Sequence, residues 1–152
     1  SYTFVAVTHP SLSGMASQIG VTVEAIQSNG TLFGSAKSFT VNADTTTRIF
    51  IVRTGHSSIN AASIPTAQII SDIGGFKYGH IGAVSVATSP TTATGTALGE
   101  GYRDVTMLSF WGAVVVEQST SGFAMEFIGD MHDSAAATIF NGANPVSGPA
   151  AP

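Results

Sequence analysis

Cysteine is absent from this chain of 152 residues. That excludes a disulfide framework, Cys-ligated zinc, iron–sulfur clusters, c-type haem attachment and thiol nucleophiles. Charge is nearly as scarce: charged side chains are 9% of the sequence, where ordinary soluble domains carry about 25%. The five basic residues, Lys37, Arg48, Arg53, Lys77 and Arg103, are scattered, and the net charge is −4. Nucleic-acid binding needs a clustered positive footprint that releases counterions, and a polybasic membrane patch needs the same clustering. Neither pattern is present, so neither partner is expected. No uninterrupted apolar run approaches the roughly 18–20 residues that span a bilayer as a helix.

What the chain does have is small and hydroxylated. Ala, Gly, Ser and Thr fill almost half of all positions, and mean hydropathy is +0.31. A free monomer usually keeps neighbours apart with charge. A surface this weakly charged points to burial in an assembly or to life outside the cell. The style is shared by many pilin-like, surface-layer and phage-particle subunits, as a likeness of composition and not of any motif. The sequence begins at Ser1; a removed signal peptide and simple Met excision account for that equally well.

Period-two alternation dominates the pattern. Tyr2–Val7 and Thr46–Arg53 read as strands, and Ile19–Ile26 sets Ile19, Val21, Val23 and Ala25 against Thr22 and Glu24. Asn29-Gly30 is a tight-turn signal, because both residues tolerate positive φ, and Thr31–Val41 returns from it as a strand bent near Gly34. Further strands are expected at His80–Thr88, Asp104–Phe110, Trp111–Gln118 and Phe123–Gly129, the last two joined through Ser119–Gly122. Phe110 and Trp111 fall on opposite faces, which predicts one ring in the core and the other at a surface. Pro65–Ile73 reads as a short helix, with proline at its first position, Ala67, Ile70 and Ile73 on one side and a Gly74-Gly75 stop. Ala135–Phe140 can make one more turn. Thr88–Gly101 reads as a low-complexity loop and Gly142–Pro152 as a flexible tail rich in Pro, Gly and Ala. The expected fold is all-β: an antiparallel sandwich or jelly roll of about eight strands, with at most one or two short helices, over residues 1–141.

No pattern announces an enzyme. There is no Gly-x-Ser-x-Gly elbow, and Ser13-Gly14 and Gly34-Ser35 read as turns. There is no GxxxxGK[ST], and Gly95, Gly99 and Gly101 precede no evident helix. Glu117 and Glu126 sit on the two arms of the final hairpin, where facing carboxylates are the pattern of a glycosidase; a solvated sheet face is the simpler reading. Asp130, His132 and Asp133 are the best metal candidates, with Asp130 and His132 on one face if the strand continues. A polar strand end is again simpler, since no third or fourth ligand declares itself. His9, His56 and His80 form a three-histidine site only if the fold unites them. Asn29-Gly30-Thr31 is an N-glycosylation acceptor sequence in a predicted turn. No catalytic residue, metal or cofactor is therefore expected.

The N-terminal strand offers a route to assembly. Tyr2, Phe4, Val5 and Val7 belong to a short apolar segment, Ser1–Thr8, tethered by a Gly/Ser-rich stretch that begins after His9-Pro10. Such a strand either pairs inside its own domain or exchanges into a neighbouring copy. The expectation is a structural subunit whose partners are copies of itself, forming an extracellular filament or surface layer. The alternatives are a virus-particle coat or decoration protein, and a small secreted metal- or carbohydrate-binding β-domain.

Overall fold

The computed structural model of the chain describes residues 1–11, 17–74, 78–85 and 108–130. Among these there is no helix. Eight strands form two sheets: β1 (Tyr2–Thr8), β2 (Gln18–Gln27), β3 (Lys37–Asn42), β4 (Thr46–Arg53), β5 (Gln68–Asp72), β6 (Gly79–Ser85), β7 (Ser109–Glu117) and β8 (Gly122–Asp130). One sheet has the order β5-β4-β1-β7-β8, the other β3-β2-β6, and neither closes into a barrel. The architecture is an all-β sandwich.

Alternation decides the core. On β2, Ile19, Val21, Val23 and Ala25 all turn inward and are buried. They meet Val5 and Val7 of β1, Ile49 of β4 and Ile70 of β5 from the facing sheet. Residues opposite one another on neighbouring strands share a face, so the β1–β7 register extends this inner face to Phe110, Gly112 and Val114. Phe110 packs on the core while Trp111 beside it is 47% exposed. The outer face of the smaller sheet is polar, with Thr22 hydrogen-bonded to Ser38 at 2.6 Å and Gln18 donating to Asn42 at 3.2 Å.

β1 is the middle strand of the larger sheet. It pairs antiparallel with β4 along one edge, from Tyr2↔Val52 to Thr8↔Thr46, and with β7 along the other, from Tyr2↔Val115 to Thr8↔Ser109. Its outward side chains join an aromatic row, with Phe4 5.1 Å from both the Phe50 and Trp111 ring centroids.

The expected helix at Pro65–Ile73 is instead β5, running parallel to β4 with Ile51 opposite Ile70. A nine-residue segment is too short to hold a helix by propensity, and it contains the β-branched pair Ile69-Ile70. The ladder beside β4 supplies its backbone partners and buries Ile70 completely. The parallel pairing needs a crossover, and residues 54–67 provide it over the outer face of the sheet. Arg48 Nη2 donates to Thr66 Oγ1 at 2.7 Å, and the His56 ring stands edge-on to Tyr2. A web around Asn60, whose Oδ1 accepts from the backbone amides of Ala62 and Ser63, shapes the loop.

Two strand expectations shorten. Thr31–Val41 contributes only an isolated bridge, Ile26↔Leu32, before β3 begins at Lys37. Between them Gly34 holds φ at +70°, and a Cβ there would stand 2.6 Å from the Ser71 carbonyl oxygen. The chain therefore turns where the sequence suggested a bend. Of the strands expected at Asp104–Phe110 and Trp111–Gln118, Ser109–Glu117 forms one continuous β7 with buried Leu108 just before it, and residues 104–107 lie outside the described residues. The tail at 142–152, the loop at 88–101 and the turn at 135–140 lie outside the described residues.

Candidate functional site

One end of the sandwich gathers the chemistry. β1 begins there, β2, β4 and β7 finish there, and β6 starts there, so five strand ends surround a partly open cavity of about 1050 Å³ between the sheets. Its walls are apolar: Phe33, Ile51, Ile81, Phe110, Val114 and Phe127 line it. Its rim is polar, with Arg53, Thr54, His56, Tyr78 and His80. No Asp or Glu lines the cavity among the described residues.

Beside the rim, Glu117 collects three short contacts. Its Oε2 accepts from the Ser1 amino group at 2.8 Å and from His56 Nε2 at 2.9 Å, and its backbone N–H donates to Ser1 Oγ at 3.0 Å. The His56 tautomer follows from its other nitrogen. Nδ1 accepts from the backbone amides of Ser58 and Ile59, at 3.2 and 3.1 Å, so the proton sits on Nε2 and points at the carboxylate. The Ser1 ammonium first, and then His56, hold the Glu117 carboxyl below its usual range of about 4.5, against a smaller opposing effect of desolvation. This cluster ties the start of β1, the end of β7 and the crossover together. His56 is committed to that hydrogen-bond geometry rather than presented to solvent as a free base.

The other candidate residues are dispersed. His56 and His80 share the cavity rim, but His9 follows β1 at the opposite end of the sandwich. There His9 is buried, its N–H donating to Thr45 O at 3.0 Å and its Nδ1 accepting from Ser11 N at 3.0 Å. A three-histidine site is therefore not formed. Among the described residues no group of three or more His, Cys, Asp and Glu side chains could hold a metal. Asp130 ends β8 opposite Ser109; His132 and Asp133 lie outside the described residues. Glu117 and Glu126 do not face each other: Glu117 pairs with Gly122 and Glu126 with Ala113, so their backbone positions are about 14 Å apart along β7 at roughly 3.4 Å per residue. Glu117's carboxylate is instead held by Ser1 and His56. Asn29 and Thr31 stand exposed in their turn, with Thr31 Oγ1 donating to Asn29 Oδ1 at 2.7 Å.

Tyr2, Phe4, Val5 and Val7 divide between faces, the valines in the core and the rings on the outer aromatic row. A different apolar surface emerges on β8. Phe123 and Met125 share the inner face with their partners Val116 and Val114, yet each is 61% exposed. Farther along the same face Phe127 packs on the core, and among the described residues no strand pairs with the outer edge of β8. Sequence reasoning saw the strand here but not this overhang, because alternation gives the face a residue takes and not whether that face is covered. Comparison with protein families, curated proteins and solved structures gave no match to any of them.

Proposed function

We propose that the chain is a structural subunit that packs against copies of itself to build an extracellular filament or surface layer. The observation that carries the reading is the β8 overhang. Phe123 and Met125 occupy inner-face positions yet stand exposed, on a nine-residue strand whose outer edge has no partner among the described residues. Unpaired edges and exposed apolar side chains together are a template for strand addition by another chain. The sparse charge removes the usual barrier to such contact. No catalytic step and no cofactor enter this reading.

Strand exchange of β1 is a second route to the same end. An exchanged β1 would occupy the identical slot between β4 and β7 of a neighbour, keeping both ladders and changing only which chain supplies the strand.

Light scattering with negative-stain electron microscopy on the purified protein tests the reading, alongside Phe123→Lys and Met125→Lys. The expected result is a regular polymer from the native chain and a monomer from both variants, with thermal stability within about 0.5 kcal/mol of native, as for exposed positions generally. A monomeric native protein at all accessible concentrations, or polymers unaffected by both lysines, would overturn it.

A further inference from the structure

Packed protein interiors hold few voids larger than a water molecule, whereas a partly open cavity of about 1050 Å³ lies between the two sheets. It has the proportions of a small-molecule site: concave, mostly apolar, with a few polar groups gathered at one end. The distribution of charge narrows the chemistry. The chain has nine acidic side chains to five basic ones. None of the acids lines this cavity among the described residues, while Arg53 stands exposed on its rim.

Among the described residues Arg53 forms no ion pair. Its register partner on β5 is Asp72, whose carboxylate accepts from the backbone amides of Gly34 and Gly74, both at 3.2 Å. Among the described residues, the Ser1–Glu117 ion pair and the His56–Glu117 hydrogen bond both leave Arg53 out. Thr54, Tyr78 and His80 add hydrogen-bonding groups around the same opening. Below the rim, Ile51, Ile81, Val114 and the rings of Phe33, Phe110 and Phe127 offer only hydrocarbon.

We infer that this cavity binds a single-chain amphiphile with an anionic head, of the class of a long-chain carboxylate. The alkyl chain lies between the sheets and the carboxylate meets Arg53 at the rim. An arginine fork suits a carboxylate through two parallel N–H···O bonds. The apolar bed supplies affinity in proportion to the hydrocarbon buried, so affinity climbs with chain length. A sugar or a bare phosphate does not fit this lining, which would leave its hydroxyls or oxygens unpaired against phenyl and branched alkyl groups.

The test is isothermal titration of the intact chain with dodecanoate, octanoate, dodecanol and dodecylammonium, each below its aggregation concentration. Dodecanoate is expected to bind saturably at one per chain, more tightly than octanoate, with dodecylammonium much weaker. Arg53→Ala should weaken dodecanoate about tenfold, the loss of one charge-assisted pair, and leave dodecanol unchanged; Arg53→Lys should recover part of the loss. Val114→Trp should fill the cavity and abolish binding of both ligands. Arg53 is exposed, so its variants retain the fold even if the tryptophan variant does not, and circular dichroism separates the two cases. Absence of saturable binding, as when the chain or a neighbouring copy already fills the space, would overturn the inference. So would equal affinity for acid, alcohol and amine, or indifference to Arg53→Ala. The titration is independent of the lysine variants on β8, so either reading can fail without the other.

Discussion

Glu117 joins three parts of the chain that are far apart in sequence: Ser1 at the head of β1, its own place at the end of β7, and His56 in the crossover. Its folded-state pKa lies below the ordinary value, so the stability it contributes is full above about pH 4.5 and is lost as pH falls through the lowered folded value. Glu117→Gln removes that dependence. Thermal melts across an acid series should show the native chain losing more melting temperature than the variant below pH 4.5; parallel curves would dissociate the carboxylate from acid stability. The sequence held little sign of this cluster. Glu117 reads as one arm of a carboxylate pair with Glu126, and only the β7–β8 register, which sets Glu126 against Ala113, separates them. His56 reads as a loop histidine, and its partner is 61 residues away. Local pattern holds no information about contacts that depend on where a crossover lands.

At the level of elements, strands with clean alternation were legible and short ambiguous runs were not. Ile19, Val21, Val23 and Ala25 are buried as their spacing predicts, since one face of β2 meets the other sheet directly. The segment after Pro65 satisfied a helical template at Ala67, Ile70 and Ile73 and yet pairs as β5, because a parallel neighbour outweighs local preference in so few residues. The two readings diverge on paired substitutions. A helix would set Ile70 and Ile73 on one face at similar cost, whereas in β5 Ile70 is fully buried and Ile73, beyond the strand, is 81% exposed. Ile70→Ala should therefore cost about 2–5 kcal/mol in chemical denaturation, and Ile73→Ala no more than about 0.5 kcal/mol. Comparable losses would return the segment to a helix. The β8 overhang belongs to this scale too: the strand was visible in the sequence, but the exposure of Phe123 and Met125 on its inner face was not.

For the whole molecule the decisive element is β1, which sits in the middle of the larger sheet with a neighbour on each side. Deleting Ser1–Thr8 removes the strand that joins β4 to β7, so loss of assembly in that variant reports on folding as well as on exchange. A cross-link distinguishes them. Thr8 and Thr46 are register partners whose hydroxyls lie 2.8 Å apart on an exposed part of the sheet. The chain has no native cysteine, so Thr8→Cys with Thr46→Cys introduces one defined pair at a separation suited to a disulfide. If each chain keeps its own β1, oxidation closes the bond within the chain, and assembled material runs as a monomer on a non-reducing denaturing gel. If β1 passes between copies, the same oxidation links successive chains into a ladder. Monomer bands from material that electron microscopy shows to be polymeric would assign assembly to β8 and its exposed Phe123 and Met125. A ladder would make the middle strand the joint, and the aromatic row of Phe4, Phe50 and Trp111 would then be built from two chains at every junction.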